Sequence, residues 1–164
     1  MKKVYVVRHA DSSWDNQLLD DFDRPLSEKG VRDAKNLADF FVKKKYMCDS
    51  IIYSSAARTT QTATYLNQTL SKYHLINLIG EKSLYLSSID EVIEILNNHL
   101  KQNSSIMYVG HNPTITTFIN YISNASIDHV PSGAMALINL NQNKLLESSG
   151  KLVEFIYPKK LKFL

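Results

Sequence analysis

The sequence predicts an α/β fold, a three-layer α/β/α sandwich whose mostly parallel sheet ends in antiparallel strands near the C-terminus. Three observations predict it. Short apolar runs rich in β-branched and aromatic residues recur at 4–7, 50–53, 76–79 and 106–109, as expected of strands buried on both faces. The gaps between them carry helical spacings. After residue 122 the pattern changes to two strand-like runs, 134–140 and 152–157, joined through 141–150 with turn residues such as Asn143 and Gly150, which argues an antiparallel pair.

Each element follows from local chemistry. After the first run, 27–44 places Val31, Ala34, Leu37, Ala38, Phe41 and Val42 on one apolar stripe, with Ser27 as its N-cap. The second run leads into a helix over 57–70. The third leads into 89–99, introduced by Ser88-Ile89-Asp90-Glu91, which has the spacing of a capping box. The fourth precedes 114–122, where Ile115, Phe118, Ile119 and Ile122 share a face. Residues 11–25 form the one long irregular connection, polar and containing the single tryptophan, and loops of that length are usually functional or mobile.

Length and composition narrow the class. At 164 residues the chain is expected to form one domain over 1–164, with a sizeable core and no need of a staple. Cys48 is alone, so no intramolecular disulfide forms; it reads as a small buried hydrophobe in a reducing compartment. The apolar run behind Met1-Lys2-Lys3 is too short for an export signal, and no run reaches the ~18–20 residues of a membrane span. The expectation is a cytoplasmic protein with no membrane role. A net charge of +3, from 19 basic and 16 acidic residues without a basic block, is too small to argue nucleic-acid binding but suits an anionic substrate. Lys159, Lys160 and Lys162 read as a solvated terminus.

The chemistry-bearing residues stand at strand ends. Arg8-His9 follows the first run, Arg58 the second, and Gly110-His111 the fourth. In an open parallel sheet such positions meet in the crevice at the carboxyl edge, where ligands bind. Taken singly, a strand-end histidine fits a structural role and Arg58 fits a surface salt bridge. Together, two arginines, two histidines and a helix N-terminus suit a dianionic phosphoryl group, because guanidinium forks and helix N–H groups both donate to its oxygens. A neutral imidazole in such a pocket is also a nucleophile toward phosphorus, and the cations stabilise charge on the equatorial oxygens during transfer.

Val6-Val7-Arg8-His9-Ala10, the arginine of Ser54-Ser55-Ala56-Ala57-Arg58-Thr59-Thr60-Gln61-Thr62-Ala63, and Val109-Gly110-His111-Asn112-Pro113 resemble the histidine phosphatase (phosphoglycerate mutase-like) superfamily. Arg8 to Trp14, with Asp21-Phe22-Asp23-Arg24-Pro25-Leu26-Ser27-Glu28-Lys29-Gly30, is similar to its small SixA-type phosphohistidine phosphatases. The resemblance implies a phosphoglycerate mutase-like fold, His9 as the phosphorylated nucleophile, and Arg8, Arg58 and His111 as the phosphate pocket. It implies no cofactor and no metal. Arg24 is a candidate to approach the phosphate, a loop-anchoring ion pair being the alternative. Ser132-Gly133-Ala134 resembles a segment near the pocket rim and equally fits a turn into a strand. Ala10 replaces the glycine usual in the wider superfamily, a change common in the SixA-like branch.

The proton donor decides the substrate. Phosphomonoester-cleaving branches present a carboxylic acid between the third strand and the next helix; here only Glu81 is available, beside Lys82, and a solvated surface residue is its alternative reading. An alkoxide leaving group demands an acid, since even water has a pKa of about 15.7. Phosphohistidine with its second ring nitrogen protonated leaves as neutral imidazole, whose conjugate acid lies near ~6.5. Weak acid assistance therefore favours phosphohistidine on a protein, and the resemblance implies a histidine-containing phosphotransfer domain as partner; a small phosphorylated molecule is the alternative. His74 and His99 read as surface residues, His129 is a candidate pocket residue, and Tyr85 and Asp11 are candidates to assist proton transfer. The rivals are a small-molecule phosphomonoesterase and a non-catalytic phosphoprotein-binding module. A metal site on His9, Asp11 and His111 ranks below them, because the flanking arginines would repel a cation, and a mutase role ranks lower still.

Overall fold

The computed structural model describes residues 1–164. Its framework starts with β1 (Lys3–Arg8), where Val4 and Val6 enter one apolar layer while Tyr5 and Val7 enter the other. That split follows from the two-residue period of a strand, and all four residues are fully buried. With β2 (Ser50–Ser54), β3 (Asn77–Glu81), β4 (Ser105–Gly110), β5 (Met135–Leu140) and β6 (Gly150–Ile156) it forms one sheet in the order β3-β2-β4-β1-β5-β6. The first four are mutually parallel, and β5 is antiparallel to both of its neighbours, β1 and β6.

Helices cover both faces. On one side α1 (Glu28–Lys43) and α2 (Ala57–Leu70) bury Leu37, Phe41 and Leu66 against Tyr5 and Val7. On the other, α3 (Ile89–Leu100) and α4 (Thr114–Ser123) bury Leu96 and Phe118 against Val4 and Val6. The expected caps form: the Ser27 hydroxyl accepts from Gly30 N, and that of Ser88 accepts from Glu91 N. No helix is long and apolar enough to cross a membrane.

Three local expectations are corrected. The run at 76–79 was expected to be covered on both faces, but β3 is an edge strand shifted to 77–81, with Leu78 38% exposed. Strand order is a tertiary property, and a short apolar run carries no record of it. The last strand begins at Gly150 rather than 152, lengthened by pairing with β5 across a register shift at Leu137/Ile138. The C-terminal stretch read as solvated contains the short α5 (Pro158–Leu161), whose Leu161 packs on the α1 side of the core.

Two close approaches prepare the site. Parallel pairing puts Arg8 opposite Gly110 and Val109 opposite Tyr53, so the ends of β1, β4 and β2 lie side by side. The chain leaving β1 is then pinned to the start of α1: Ser27 N and Oγ both donate to Asp11, and Gly30 lies so near that a Cβ there would overlap the Asp11 carbonyl.

Candidate functional site

His9 N donates to Gly110 O at 3.0 Å, and the rings of His9 and His111 stand 5.4 Å apart between centroids. The His9 ring is oriented by Nδ1, 2.7 Å from the Ala10 carbonyl. A carbonyl only accepts, so Nδ1 carries the hydrogen and Nε2 keeps its lone pair. Ala10 is fixed in turn by Thr62, whose hydroxyl accepts from Ala10 N and donates to Arg58 O. Burial pushes the His9 pKa down to about 4, assisted by Arg58, Arg8 and Arg24 and partly offset by the Ala10 carbonyl. The ring is therefore neutral at pH 7. His111 Nε2 pairs with Ser54 Oγ at 2.8 Å, and burial, then Arg58 and His9, bring its pKa down to about 3.

The arginines converge on the same edge. Arg8 donates through Nη1 to Val130 O at 2.9 Å, with His129 Nε2 3.4 Å away, so His129 stands beside this guanidinium. Arg58, at the start of α2, donates to Asp21 O at 2.6 Å and to Asp21 Oδ2 at 3.0 Å. Arg24 donates to Asp21 Oδ1, Ser12 Oγ and Ser13 O, and lies 3.6 Å over the Trp14 ring, which is a loop-anchoring arrangement. Of four buried side-chain nitrogens without a partner within the protein, three belong to this edge, Arg8 Nε, Arg58 Nε and His111 Nδ1; the fourth is His74 Nδ1. Buried polar groups are nearly always paired, so three unpaired nitrogens near one sheet edge make it a candidate place for an acceptor ligand.

Asp21, Tyr85, Arg58, His111 and Asn112 line a cleft of ≈ 440 Å³; Arg8 and His9 are outside that lining, His9 standing beside His111 at its edge. Asp21 was overlooked in sequence as one of several aspartates in 11–25; its place three residues before Arg24 was the available signal. Tyr85 Oη donates to Asp21 Oδ2 at 2.6 Å. That bond, with those from Arg58 and Arg24, lowers the Asp21 pKa to about 2 in spite of desolvation. The same bond raises the Tyr85 pKa, so the phenol stays protonated. The Tyr85 ring meets His111 and Phe22 edge-on, at 5.6 and 5.0 Å between centroids.

The remaining candidates lie elsewhere or are engaged. Glu81 is outside the cleft lining and sits 3.7 Å from His99 Nε2. Asp11 is bonded to Ser27, and His74 lies against the Cys48 backbone. Cys48 is fully buried and burial pushes its thiol up to about 12. Gly133, at φ +75°, turns its N–H onto the carbonyls of Arg8 and His9, so 132–134 is both a turn and a support behind the β1 end. No group of three or more His, Cys, Asp or Glu side chains is placed to hold a metal ion.

Comparison with known proteins agrees with this geometry. The histidine phosphatase superfamily (branch 1) model matches residues 4–83. An uncharacterized chloroplastic protein of Arabidopsis thaliana is 31% identical over 133 residues, 77% of this chain; the chain spans only 61% of that relative's length. SixA from Agrobacterium tumefaciens superposes with a TM-score of 0.83 at 24% identity, covering 96% of this chain and 98% of its own. The protein histidine phosphatase SixA complexed with tungstate gives 0.83 at 18% identity, covering 97% and 99%. The family model thus matches the part of the chain that carries Arg8, His9 and Arg58, and the fold of the whole chain is that of the SixA structures.

Proposed function

We propose that residues 1–164 act as one metal-independent phosphatase domain working through a phosphohistidine on His9, and that the substrate is phosphohistidine on a protein, a histidine-containing phosphotransfer domain being the leading candidate. One observation carries the reading. A neutral His9, its Nε2 lone pair free, stands among buried donors on Arg8, Arg58 and His111 that have no internal partner. In the first step Nε2 attacks phosphorus, forming a P–N bond as the substrate's P–N bond breaks; the substrate ring, protonated at its other nitrogen, leaves as neutral imidazole. In the second, water attacks phospho-His9 and releases phosphate. Arg8, Arg58 and His111 hold the oxygens throughout, stabilising charge as it redistributes.

The cleft's acids support the choice of substrate. Asp21, the one carboxylate lining it, is held ionised, and Glu81 lies outside. A carboxylate that is ionised at pH 7 cannot protonate an alkoxide, whereas imidazole leaves without that help. A small phosphomonoester would have to rely on Tyr85, whose proton is already engaged by Asp21. The tungstate held by a SixA structure is a tetrahedral oxyanion of the kind this pocket would take. The test is a brief reaction with a phosphohistidine-bearing protein followed by a quench. Acid-labile, base-stable phosphate is expected on His9 and is lost in His9→Ala; turnover retained by His9→Ala would overturn the mechanism.

A further inference from the structure

Asp21 accepts from three side chains on separate stretches of chain: Arg24 of its own loop, Arg58 of α2 and Tyr85 beyond β3. Its backbone carbonyl takes a further bond from Arg58 Nη1. Both terminal nitrogens of Arg58 are thus engaged by one residue, while Nε is buried and unpaired. A guanidinium is a planar fork with five donors. When its end is held through Nη1 and Nη2, the side edge, Nε–H with the second Nη2–H, is the edge left for a bidentate pair with a tetrahedral oxyanion, Nε being buried and uncommitted within the protein.

We propose that Asp21 is a positioning residue for phosphate binding: it grips the end of the Arg58 guanidinium and turns the side edge toward the phosphoryl group. The role presupposes that the cleft takes phosphate, as argued above. It differs from the simplest alternative, in which Asp21 is an internal occupant that phosphate must displace. The two predict opposite signs. Removing an occupant tightens oxyanion binding, whereas removing a clip weakens it.

The experiment is titration calorimetry of the full chain with inorganic tungstate. Asp21→Asn, which cannot accept from Arg58, Arg24 and Tyr85 at once, is expected to weaken binding about tenfold, the size of one charged hydrogen bond. Asp20→Asn removes the neighbouring exposed charge and is expected to leave affinity unchanged. In an Arg58→Lys background, where the fork is already gone, Asp21→Asn is expected to add less than about a twofold loss; such non-additivity marks action through Arg58. Tighter or unchanged binding by Asp21→Asn overturns the proposal, and so does a full tenfold loss in the Arg58→Lys background, which a merely structural loop contact would give. If Asp21→Asn does not fold, Asp21→Glu serves: its longer arm displaces the fork and is expected to weaken tungstate several-fold, unchanged or tighter affinity again counting against the clip. Wild-type protein that binds no tungstate overturns the phosphatase reading itself, whereas a binding wild type with an unaffected variant overturns the clip alone.

Discussion

Arg8, His9 and His111 are set by the backbone hydrogen bonds of a buried parallel sheet, whereas Asp21 and Arg24 are set by side-chain bonds of an exposed loop to each other, to Arg58 and to Tyr85. His9 is 7% exposed, whereas the Asp21 side chain is 49% exposed and Arg24, at 8%, is tucked beneath the loop. The strand-end half is held by many cooperative contacts and keeps a fixed geometry. The loop half rests on a few side-chain bonds, one of them, Tyr85 to Asp21, exposed to solvent, so it opens at lower free energy. A side chain that must keep a fixed geometry needs the first kind of support, whereas a site entrance tolerates the second.

The largest expected effect comes from striking the loop half at its anchor. In Gly30→Ala the new Cβ meets the Asp11 carbonyl, a backbone atom that cannot rotate away. A cost of about 3 kcal/mol in denaturant unfolding is expected, with weaker tungstate binding. Hydrogen exchange should show protection lost over 11–25 but kept in β1 and β4. Equal loss in the two regions would mean that they form one cooperative unit and that the contrast is false.

Acidification separates the halves by sign and by window. For His9 and His111 the folded pKa values, about 4 and about 3, lie below the ordinary 6.5, so the unfolded chain binds more protons as pH falls. No penalty exists above 6.5; it grows as pH drops toward 4 and 3. Asp21, lowered from 3.8 to about 2, contributes stability that is fully present above 3.8 and lost as pH falls through about 2. The strand-end half therefore feels acid first. Thermal unfolding is expected to weaken between pH 6.5 and 4.5, less so in the His9→Gln/His111→Gln protein, and an equal slope in both would sink the assignment.

The smallest effect is expected outside both halves. Glu81→Gln removes a surface ion pair of the kind worth 0–1 kcal/mol and should change kcat by less than about twofold. A tenfold fall would instead make Glu81 the proton donor.

Much of the strand-end half was legible in advance because its cues are local. Apolar runs mark the strands, Ser27 and Ser88 mark helix starts, Arg8 closes β1, and His9 and His111 take their position from being the next residues after β1 and β4. The loop half was not legible in that way. The Asp21 to Tyr85 bond joins residues 64 apart, and nothing near either residue encodes the other. The edge position of β3 was hidden for the same reason: Leu78 and Ile79 look like core residues until the order of strands leaves them at the margin.

By itself the chain determined which residues could do the chemistry: a strand carries its side-chain period locally, and a strand end places its next residue at the sheet's rim. The tertiary structure decided the state in which those residues are held. Burial beside Arg58 and Arg8 keeps His9 neutral, the Ala10 carbonyl chooses its tautomer, and Asp21 orients against Arg58 as an ionised carboxylate. Desolvation and charge pairing depend on which distant groups fold into contact, and the short-range pattern of a sequence does not contain them.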